Sequence, residues 1–224
     1  MINLSVKSRK DLFMADKKLN KEGFTIIEVV LVLAIAGLIF LMVFVALPAL
    51  QGSQRDTQRR QDMSRVSNAL VQYQTNNSTK SNNLPAEGSW QAPSEINSAG
   101  YYPIGECNNS ACRFVRDYLN AASANTDENT FKDPEGVPYN VVITMNIYKN
   151  GLSTVPSAIG DSKLLVDTNG SITIDNGNKA FKDHVVYIIP GGKCDGESVV
   201  KSTVRHFAIL YRLETAGTYC LDDQ

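Results

Sequence analysis

An uninterrupted apolar run near the N-terminus constrains the fold more than any other feature. From Val29 to Leu47 there are 19 consecutive residues without a polar side chain. An α-helix rises about 1.5 Å per residue, so this run is long enough to cross most of a hydrocarbon core. Glu28 stands just before it, and a carboxylate costs about 2.5–3.5 kcal/mol at the centre of a membrane helix and less near the interface. We therefore predict a membrane helix whose edge carries an acidic side chain that needs a partner.

The residues before this run indicate its orientation. Residues 1–23 contain six Lys or Arg and three Asp or Glu side chains, a net charge of +3. Positive residues beside a membrane helix tend to stay in the cytoplasm, which predicts an inside N-terminus and an outside location for everything after Leu50. Removing residues 1–23 changes the net charge of the chain from −1 to −4. That balance does not indicate broad electrostatic binding of nucleic acid or of anionic lipid.

The junction between leader and apolar run carries a motif. The segment from Gly23 to Glu28 reads GFTIIE and follows three lysines at positions 17, 18 and 21. It resembles the processing site of type IV prepilins and of the related pseudopilins. The resemblance implies that a membrane-embedded prepilin peptidase cuts between Gly23 and Phe24, and that Phe24 is then N-methylated as the new terminus.

The resemblance also gives Glu28 a role. After cleavage Phe24 would carry a free cationic amine, and Glu28 of one subunit would pair with that amine on its neighbour in a filament of bundled helices. A buried charge without a partner is strongly destabilising, so the pairing would favour one axial register. The alternative is an uncleaved signal anchor with Glu28 at the headgroup level. An ordinary secretory signal fits worse, because its apolar region is shorter and ends in small residues.

The helix is predicted to continue beyond the membrane. Four apolar residues between Gln51 and Asn76 are spaced three or four apart, which puts them on one face of an amphipathic helix: Met63, Val66, Leu70 and Tyr73. We predict a helix from Phe24 to about Asn76, with residues 24–50 in the membrane or filament core and residues 51–76 as its amphipathic half. Pro48 removes a backbone hydrogen bond, so a kink is expected near it.

Four arginines lie in the amphipathic half of the helix, at positions 55, 59, 60 and 65. We interpret them as a solvated face. The alternative is that some of them pair with acidic patches of adjacent subunits.

Residues 77–224 are predicted to form a globular head. Strand candidates bounded by Gly, Pro and Asn lie at residues 139–148, 171–174, 184–189 and 207–213. Together with the long helix they predict an α+β fold, in which the N-terminal helix packs on an antiparallel β-sheet. This architecture is pilin-like.

The four cysteines divide into the pairs Cys107–Cys112 and Cys194–Cys220. Four cysteines allow three connectivities, and the sequence alone does not select one. Disulfides persist outside the cytoplasm, where the head is expected. The second pair resembles the disulfide-bounded C-terminal region of pilins.

No motif in the head indicates catalysis or a cofactor. The turn from Asp133 to Tyr139 resembles the DPxGxPY turn of several pilins and major pseudopilins, and we interpret it as structural. Calcium bound by Asp167, Asn169 and Asp175 is an alternative, although their spacing fails the EF-hand pattern. Phosphate-loop, HExxH and GxSxG motifs are absent, so we expect no enzymatic activity and no cofactor.

The resemblance implies a structural subunit of a type IV pilus-like filament on the cell surface. Its partners would be other copies of the chain, the prepilin peptidase and methyltransferase, and an ATPase-driven assembly platform in the cytoplasmic membrane. Two alternatives remain. One is a pseudopilin of a type II secretion or DNA-uptake system, and the other is a membrane-tethered adhesin or binding protein.

Overall fold

The structure is a computed structural model that describes most of the chain in two compact units. One unit ends at Leu47 and the other begins at Pro48. The described residues are 23–77, 84–91, 107–120, 129–150, 164–175, 184–215 and 217–223. The predicted leader therefore lies outside the described residues except for Gly23, as do the beginning of the predicted head and parts of its interior.

Helix α1 runs from Ile26 to Asn76. Up to Leu47 its side chains are almost all exposed, and they form the apolar run. Pro48 lies inside the helix, which continues beyond it. From there one face is buried, at Gly52, Asp56, Arg59, Met63, Val66, Ala69 and Leu70. The spacing of these residues is that of a single helical face.

A five-stranded sheet forms the centre of the second unit. Its strands are β1 (Gly88–Trp90), β2 (Asn140–Ile143), β5 (Val185–Pro190), β8 (Phe207–Arg212) and β9 (Thr218–Asp222), in the order β1-β2-β5-β8-β9. Strands β5 and β8 are buried over nearly their whole length. Their continuous apolar sequences reflect burial on both faces of the sheet.

The prediction of an antiparallel sheet is wrong for one pair of strands. Strands β2 and β5 are parallel, with Val141 opposite Val186, whereas the other pairs of this sheet are antiparallel. A parallel pair cannot be closed by a tight turn and needs a long crossover connection. Residues 144–184 are long enough for such a crossover. The residue types of β2 and β5 and the turn residues at their ends predict strands, but they do not indicate whether the two strands run parallel or antiparallel.

A second, four-stranded antiparallel sheet covers the first. It contains β3 (Leu164–Val166), β4 (Ile172–Ile174), β7 (Ser198–Lys201) and β6 (Gly192–Asp195), in the order β3-β4-β7-β6. Only β4 is among the predicted strands. The others are three or four residues long, and β6 and β3 have little apolar periodicity.

The head is thus built in three layers, with the five-stranded sheet between two partners. Residues of one of its faces, such as Ile188 and Ile209, cluster with Met63, Val66 and Leu70 of α1. Residues of the other face, such as Tyr187 and Leu210, cluster with Ile172 and Val199 of the second sheet. Successive side chains of a strand point to opposite faces, so each strand serves both cores. The long helix and the sheets give an α+β fold.

Short helices complete the described chain. They are α2 (Ser110–Phe114), one π-helical turn (Val115–Leu119) and α3 (Ile147–Asn150). Helix α3 includes Tyr148, which was predicted to lie in a strand. Asn109 caps α2 by accepting a hydrogen bond from the backbone N–H of Cys112 (2.9 Å).

Two disulfides tie the head together. Cys107 is bonded to Cys112, and Cys194 is bonded to Cys220. The second bond joins β6 of one sheet to β9 of the other. It therefore links the two sheets covalently at the end of the described chain.

Candidate functional site

The N-terminal end of α1 carries a reciprocal cap. Thr25 precedes the first helical residue, and its backbone N–H and Oγ1–H both donate to Glu28 Oε2 (3.3 and 3.2 Å). In return the backbone N–H of Glu28 donates to Thr25 Oγ1 (3.3 Å). This is a capping box, which satisfies N–H groups that the helix itself leaves without partners. Glu28 thus has a local structural role in the single chain.

The predicted processing residues lie beside this cap and are exposed. Phe24 is 86% exposed, and a Cβ built on Gly23 would meet no atom within 4 Å. Among the residues that the structure describes, nothing therefore restricts the size of the residue at position 23. Any demand for glycine there would have to come from an enzyme or a partner.

The apolar half of α1 has no partner within the described residues. Side chains such as Phe40, Leu41 and Phe44 are at least 65% exposed. Among the described helices α1 is the one long and apolar enough to cross a membrane. An apolar surface of this extent is compatible with a membrane anchor and unusual for a soluble monomer.

A second site lies on the buried face of α1, around Arg59. Arg59 Nη1 lies 3.0 Å from Asp56 Oδ1 and 3.0 Å from Glu214 Oε2, and its Nη2 lies 3.5 Å from Asp133 Oδ2. We call these four residues the Arg59 cluster. Arg59 itself has no exposed surface. The interpretation of this arginine as part of a solvated face is therefore wrong, and its partners belong to the same chain.

The other three arginines also contact the head. Arg55 makes two bonds to Glu214, Nε to Oε2 (2.8 Å) and Nη2 to Oε1 (2.5 Å). Arg60 lies over the ring of Tyr219 (5.7 Å to the centroid), and Arg65 donates to the carbonyl of Leu119. Arg55 and Arg59 thus share Glu214, while Arg60 and Arg65 attach α1 to two other parts of the head.

Asp56 holds the turn between β8 and β9 on the helix. Its Oδ1 accepts the backbone N–H of Glu214 (2.9 Å), and its Oδ2 accepts the N–H and Oγ1–H of Thr215 (2.8 and 2.5 Å). Burial alone would raise the pKa of Asp56, but these bonds from Thr215 and Glu214, with the contact to Arg59, hold it below its usual range.

Asp133 similarly holds the turn from Asp133 to Tyr139 against α1. Its Oδ1 accepts the backbone N–H groups of Glu135 (3.0 Å) and Val137 (2.9 Å), while Oδ2 faces Arg59 and lies 3.0 Å from His184 Nδ1. Burial would raise its pKa, but the contact with His184 and the amide bonds outweigh burial and lower it. Gly136 has a φ of +83°, a conformation in which glycine is favoured.

Tyr139 closes this turn onto the helix. Its hydroxyl donates to Asp62 Oδ2 (2.8 Å). The predicted structural turn is thus joined to α1 by both of its ends, through Asp133 at Arg59 and through Tyr139 at Asp62.

The carboxylates do not form a convincing metal centre. Ligand atoms of Asp133, Glu135 and His184 lie within 4.8 Å of one another. Arg59 Nη2, however, is 3.5 Å from Asp133 and 3.8 Å from Glu135, so a fixed positive charge already occupies the space that a cation would need.

One of the alternative calcium ligands, Asp167, has another use in the fold. Asp167 Oδ1 accepts the backbone N–H groups of Asn169 (2.9 Å) and Ser171 (2.8 Å), which closes the turn between β3 and β4. The structure therefore gives this carboxylate a turn-forming role that needs no ion.

The sequence analysis missed two features, the cap formed by Thr25 on Glu28 and the burial of Arg59 with Asp56, and both left a signal. Thr25 and Glu28 form a T-x-x-E pattern immediately before an apolar run, which is the signature of a capping box. Arg59 and Asp56 lie in phase with the apolar positions 63, 66 and 70, because steps of three and four residues backwards from Met63 reach them. Continuing the face into polar residues would have predicted their burial.

No protein-family model, no curated protein and no solved structure matches this chain.

Proposed function

We propose that the chain is a structural subunit of a type IV pilus-like filament, cut between Gly23 and Phe24 and assembled through the apolar half of α1. The observation that carries the proposal is the GFTIIE motif at the start of a helix whose apolar side chains are almost all exposed from residue 26 to residue 47. A processing motif and an exposed apolar helix are both expected in a protein that is stored in a membrane and then transferred to a helical bundle.

The exposed helix supplies the driving force for either environment. Fully burying a Val, Leu, Ile, Phe or Met side chain contributes about 1.5–3 kcal/mol. Lipid and a bundle of identical apolar helices can both provide this burial, so transfer between them exchanges one apolar environment for another. The disulfide-bonded head would remain outside, at the surface of the filament.

Glu28 suits a pairing with the amine of a neighbouring Phe24. Its Oε2 accepts the two bonds from Thr25, whereas Oε1 has no hydrogen bond among the described residues. The carboxylate can therefore keep its cap and still accept a charged donor from the next subunit. Charge-assisted hydrogen bonds of this kind are about twice as strong as neutral ones.

N-terminal sequencing of the protein isolated from its own cells tests the proposal. We expect a first residue of N-methylated phenylalanine, followed by Thr-Ile-Ile-Glu. An intact Met1 in assembled fibres would refute it.

A matched pair of variants tests the cleavage step. Gly23→Leu should remain uncut, so that its mass includes residues 1–23. Gly37→Leu should be processed normally, because a Cβ at either glycine meets no atom within 4 Å and only position 23 belongs to the motif. Mass spectrometry of the two membrane fractions reads out the difference. Assembly of the uncut Gly23→Leu protein into fibres would contradict the role of cleavage.

A further inference from the structure

The turn between β3 and β4 presents an asparagine in an acceptor sequence for N-linked sugar. Asn169, Gly170 and Ser171 form the pattern Asn-x-Ser, with x other than proline. In exported proteins this pattern is the acceptor for N-glycosylation and lies on surface loops. The chain contains five such tripeptides, beginning at Asn3, Asn76, Asn77, Asn108 and Asn169. Pattern alone does not rank them, but the structure does.

Two of these asparagines use their side-chain amides within the fold. They lie where α1 ends, and Asn77 Nδ2 donates to the carbonyl of Tyr73 (2.9 Å), while Asn76 Nδ2 donates to Tyr118 Oη (3.5 Å). Transfer of a sugar to such a nitrogen would require that bond to break. Asn3 lies outside the described residues and, in the proposed function, in the part that is removed.

Asn108 is exposed but tightly held by its neighbours. Cys107 before it is in a disulfide, and Asn109 after it caps α2 and donates to the carbonyl of Ser89 (2.8 Å). Ser110 is the first residue of that helix. An acceptor segment must enter the active site of the transferring enzyme, and this one is held at the residue before Asn108 and at the two residues after it.

Asn169 combines exposure with a free side chain. It is exposed, and no hydrogen bond from its side-chain amide is found among the described residues. The turn is closed by other groups, since Asp167 Oδ1 accepts the backbone N–H groups of Asn169 and Ser171, and Asp167 N–H donates to the carbonyl of Ser171 (3.0 Å). The turn therefore projects the Asn169 amide outwards without using it.

The surface beside this turn would gain from a sugar. Strand β3 is the edge of the four-stranded sheet, and its Leu165 and Val166 are 45% and 40% exposed. An exposed apolar edge strand invites pairing with other chains. A bulky, solubilising glycan on Asn169, three residues after Val166 and four after Leu165, would cover it.

We propose that Asn169 is an N-glycosylation site of this protein, carrying a saccharide on the outer hairpin of the head. The inference adds to the proposed function and depends on the outside location of the head. The donor class is a lipid-pyrophosphate-linked saccharide. The Asn169 amide nitrogen forms a bond to C1 of the sugar, the bond between C1 and the phosphate oxygen breaks, the lipid pyrophosphate leaves, and the amide loses one proton to a base of the transferring enzyme.

Peptide mass mapping of the protein from its own cells tests this site. The tryptic peptide between Lys163 and Lys179 should carry the mass of a saccharide at Asn169, and Asn108 should be unmodified. Ser171→Ala should lose that mass. Because Ser171 contributes only backbone atoms to the turn, the variant should keep its fold and both disulfides, which the same digest reports without reduction.

Ser110→Ala is the matched control and should leave the saccharide in place. The inference would be overturned by an unmodified Asn169, by deamidation alone at the Asn169-Gly170 step, or by a saccharide on Asn108 instead. The N-terminal peptide of the same digest separates it from the proposed function. Phe24 as the first residue with a bare Asn169 would refute only the glycosylation, and an intact Met1 with modified Asn169 would refute only the processing.

Discussion

Arg59 carries its charge at a position of α1 where the side chain has no exposed surface. Burial alone would lower the pKa of Arg59, but Glu214, Asp56 and Asp133 raise it above its usual value, so it stays ionised. Removing one partner of a buried pair is strongly destabilising, because the opposite charges remain buried without compensation. In this cluster three carboxylates would be left facing one another. We therefore expect the stability of the fold around this cluster at neutral pH to depend on Arg59.

The neighbouring arginines allow a direct test of this point. We expect Arg59→Met to lower the free energy of unfolding by about 3–5 kcal/mol, as for a broken buried ion pair. Arg60→Met removes the same charge one residue away and should cost about 1 kcal/mol or less, because Arg60 makes a contact with the ring of Tyr219 at the surface. Denaturant unfolding of the full chain in detergent, followed by near-ultraviolet circular dichroism, measures both. Equal losses would show that the Arg59 cluster is not coupled to the fold.

Glu28 has two possible uses, and one substitution separates them. Glutamine can replace glutamate in a capping box, so Glu28→Gln should keep the cap on Thr25 while losing the charge. Glu28→Ala loses both. If the charge pairs with a neighbour, both variants should be cut at Gly23 and both should assemble poorly. Electron microscopy of sheared fibres and the mass of the membrane fraction report the two steps. Normal fibres from Glu28→Gln together with defective ones from Glu28→Ala would assign Glu28 to capping alone.

At the scale of elements, α1 is held by two turns that come from distant parts of the sequence. The turn at Asp133 meets it at Arg59 and Asp62, and the turn at Glu214 meets it at Arg55 and Asp56. Gly52 packs closely against the second turn. A Cβ built on Gly52 would lie 2.8 Å from Thr215 Cγ2, which is too close for a normal contact. Thr215 cannot simply rotate away, since its hydroxyl is bonded to Asp56. The close approach thus fixes the helix against the end of the β8–β9 hairpin.

Gly52→Ala should therefore destabilise the head although alanine favours helices by about 1 kcal/mol over glycine. Overpacking of this kind costs about 1–3 kcal/mol. Thr215→Ser removes the clashing methyl group and keeps the hydroxyl, so the double variant should recover stability. Ser53→Ala, an exposed neighbour, should stay within about 0.5 kcal/mol of the parent. The same unfolding measurement applies. A stabilised Gly52→Ala protein would show that the turn gives way at no cost.

Some elements could be predicted from the sequence and others could not, for physical reasons. Strands β5 and β8 are continuous apolar runs ended by Pro or a polar residue. Helix α1 combines a 19-residue apolar run with a helical periodicity beyond Pro48, so local sequence suffices for these elements. Strands β6 and β9 read as mixed polar segments because a disulfide and cross-strand pairing hold them rather than alternation of apolar side chains. The parallel pairing of β2 with β5, and the ion pairs of Arg59 with Asp133 and Glu214, depend on residues more than 40 positions apart. No local pattern encodes such contacts.

On the scale of the whole molecule, the carboxylates that join helix to head make stability depend on pH. In the folded chain the pKa values of Asp56, Asp133 and Glu214 lie below their usual range. In an unfolded chain such groups titrate near 4. Their contribution is therefore present above about pH 4–5 and lost as the pH falls through the folded pKa values. Asp62 acts in the opposite sense, because burial raises its pKa and its protonation relieves that cost.

We accordingly expect the free energy of unfolding to be greatest near neutral pH and to fall steadily below about pH 5. Asp133→Asn should lower stability at pH 7 and flatten the acid dependence, because one of the three carboxylates no longer takes up a proton on unfolding. Denaturant midpoints of both proteins between pH 7 and pH 3 provide the comparison. A midpoint that stays constant or rises on acidification would contradict the role assigned to the cluster.

The position of β9 has a consequence for how the chain is made. This strand, Thr218–Asp222, completes the five-stranded sheet by pairing with β8 and supplies Cys220 to the inter-sheet bond. Until the ribosome has translated Thr218–Asp222, one edge of β8 is unpaired and Cys194 lacks its disulfide partner, Cys220. Closure of the head must therefore wait until nearly the whole described polypeptide has been synthesised and delivered to its compartment. During that interval, the open edge of β8 and the thiol of Cys194 would be available to chaperones that shield strand edges and thiols.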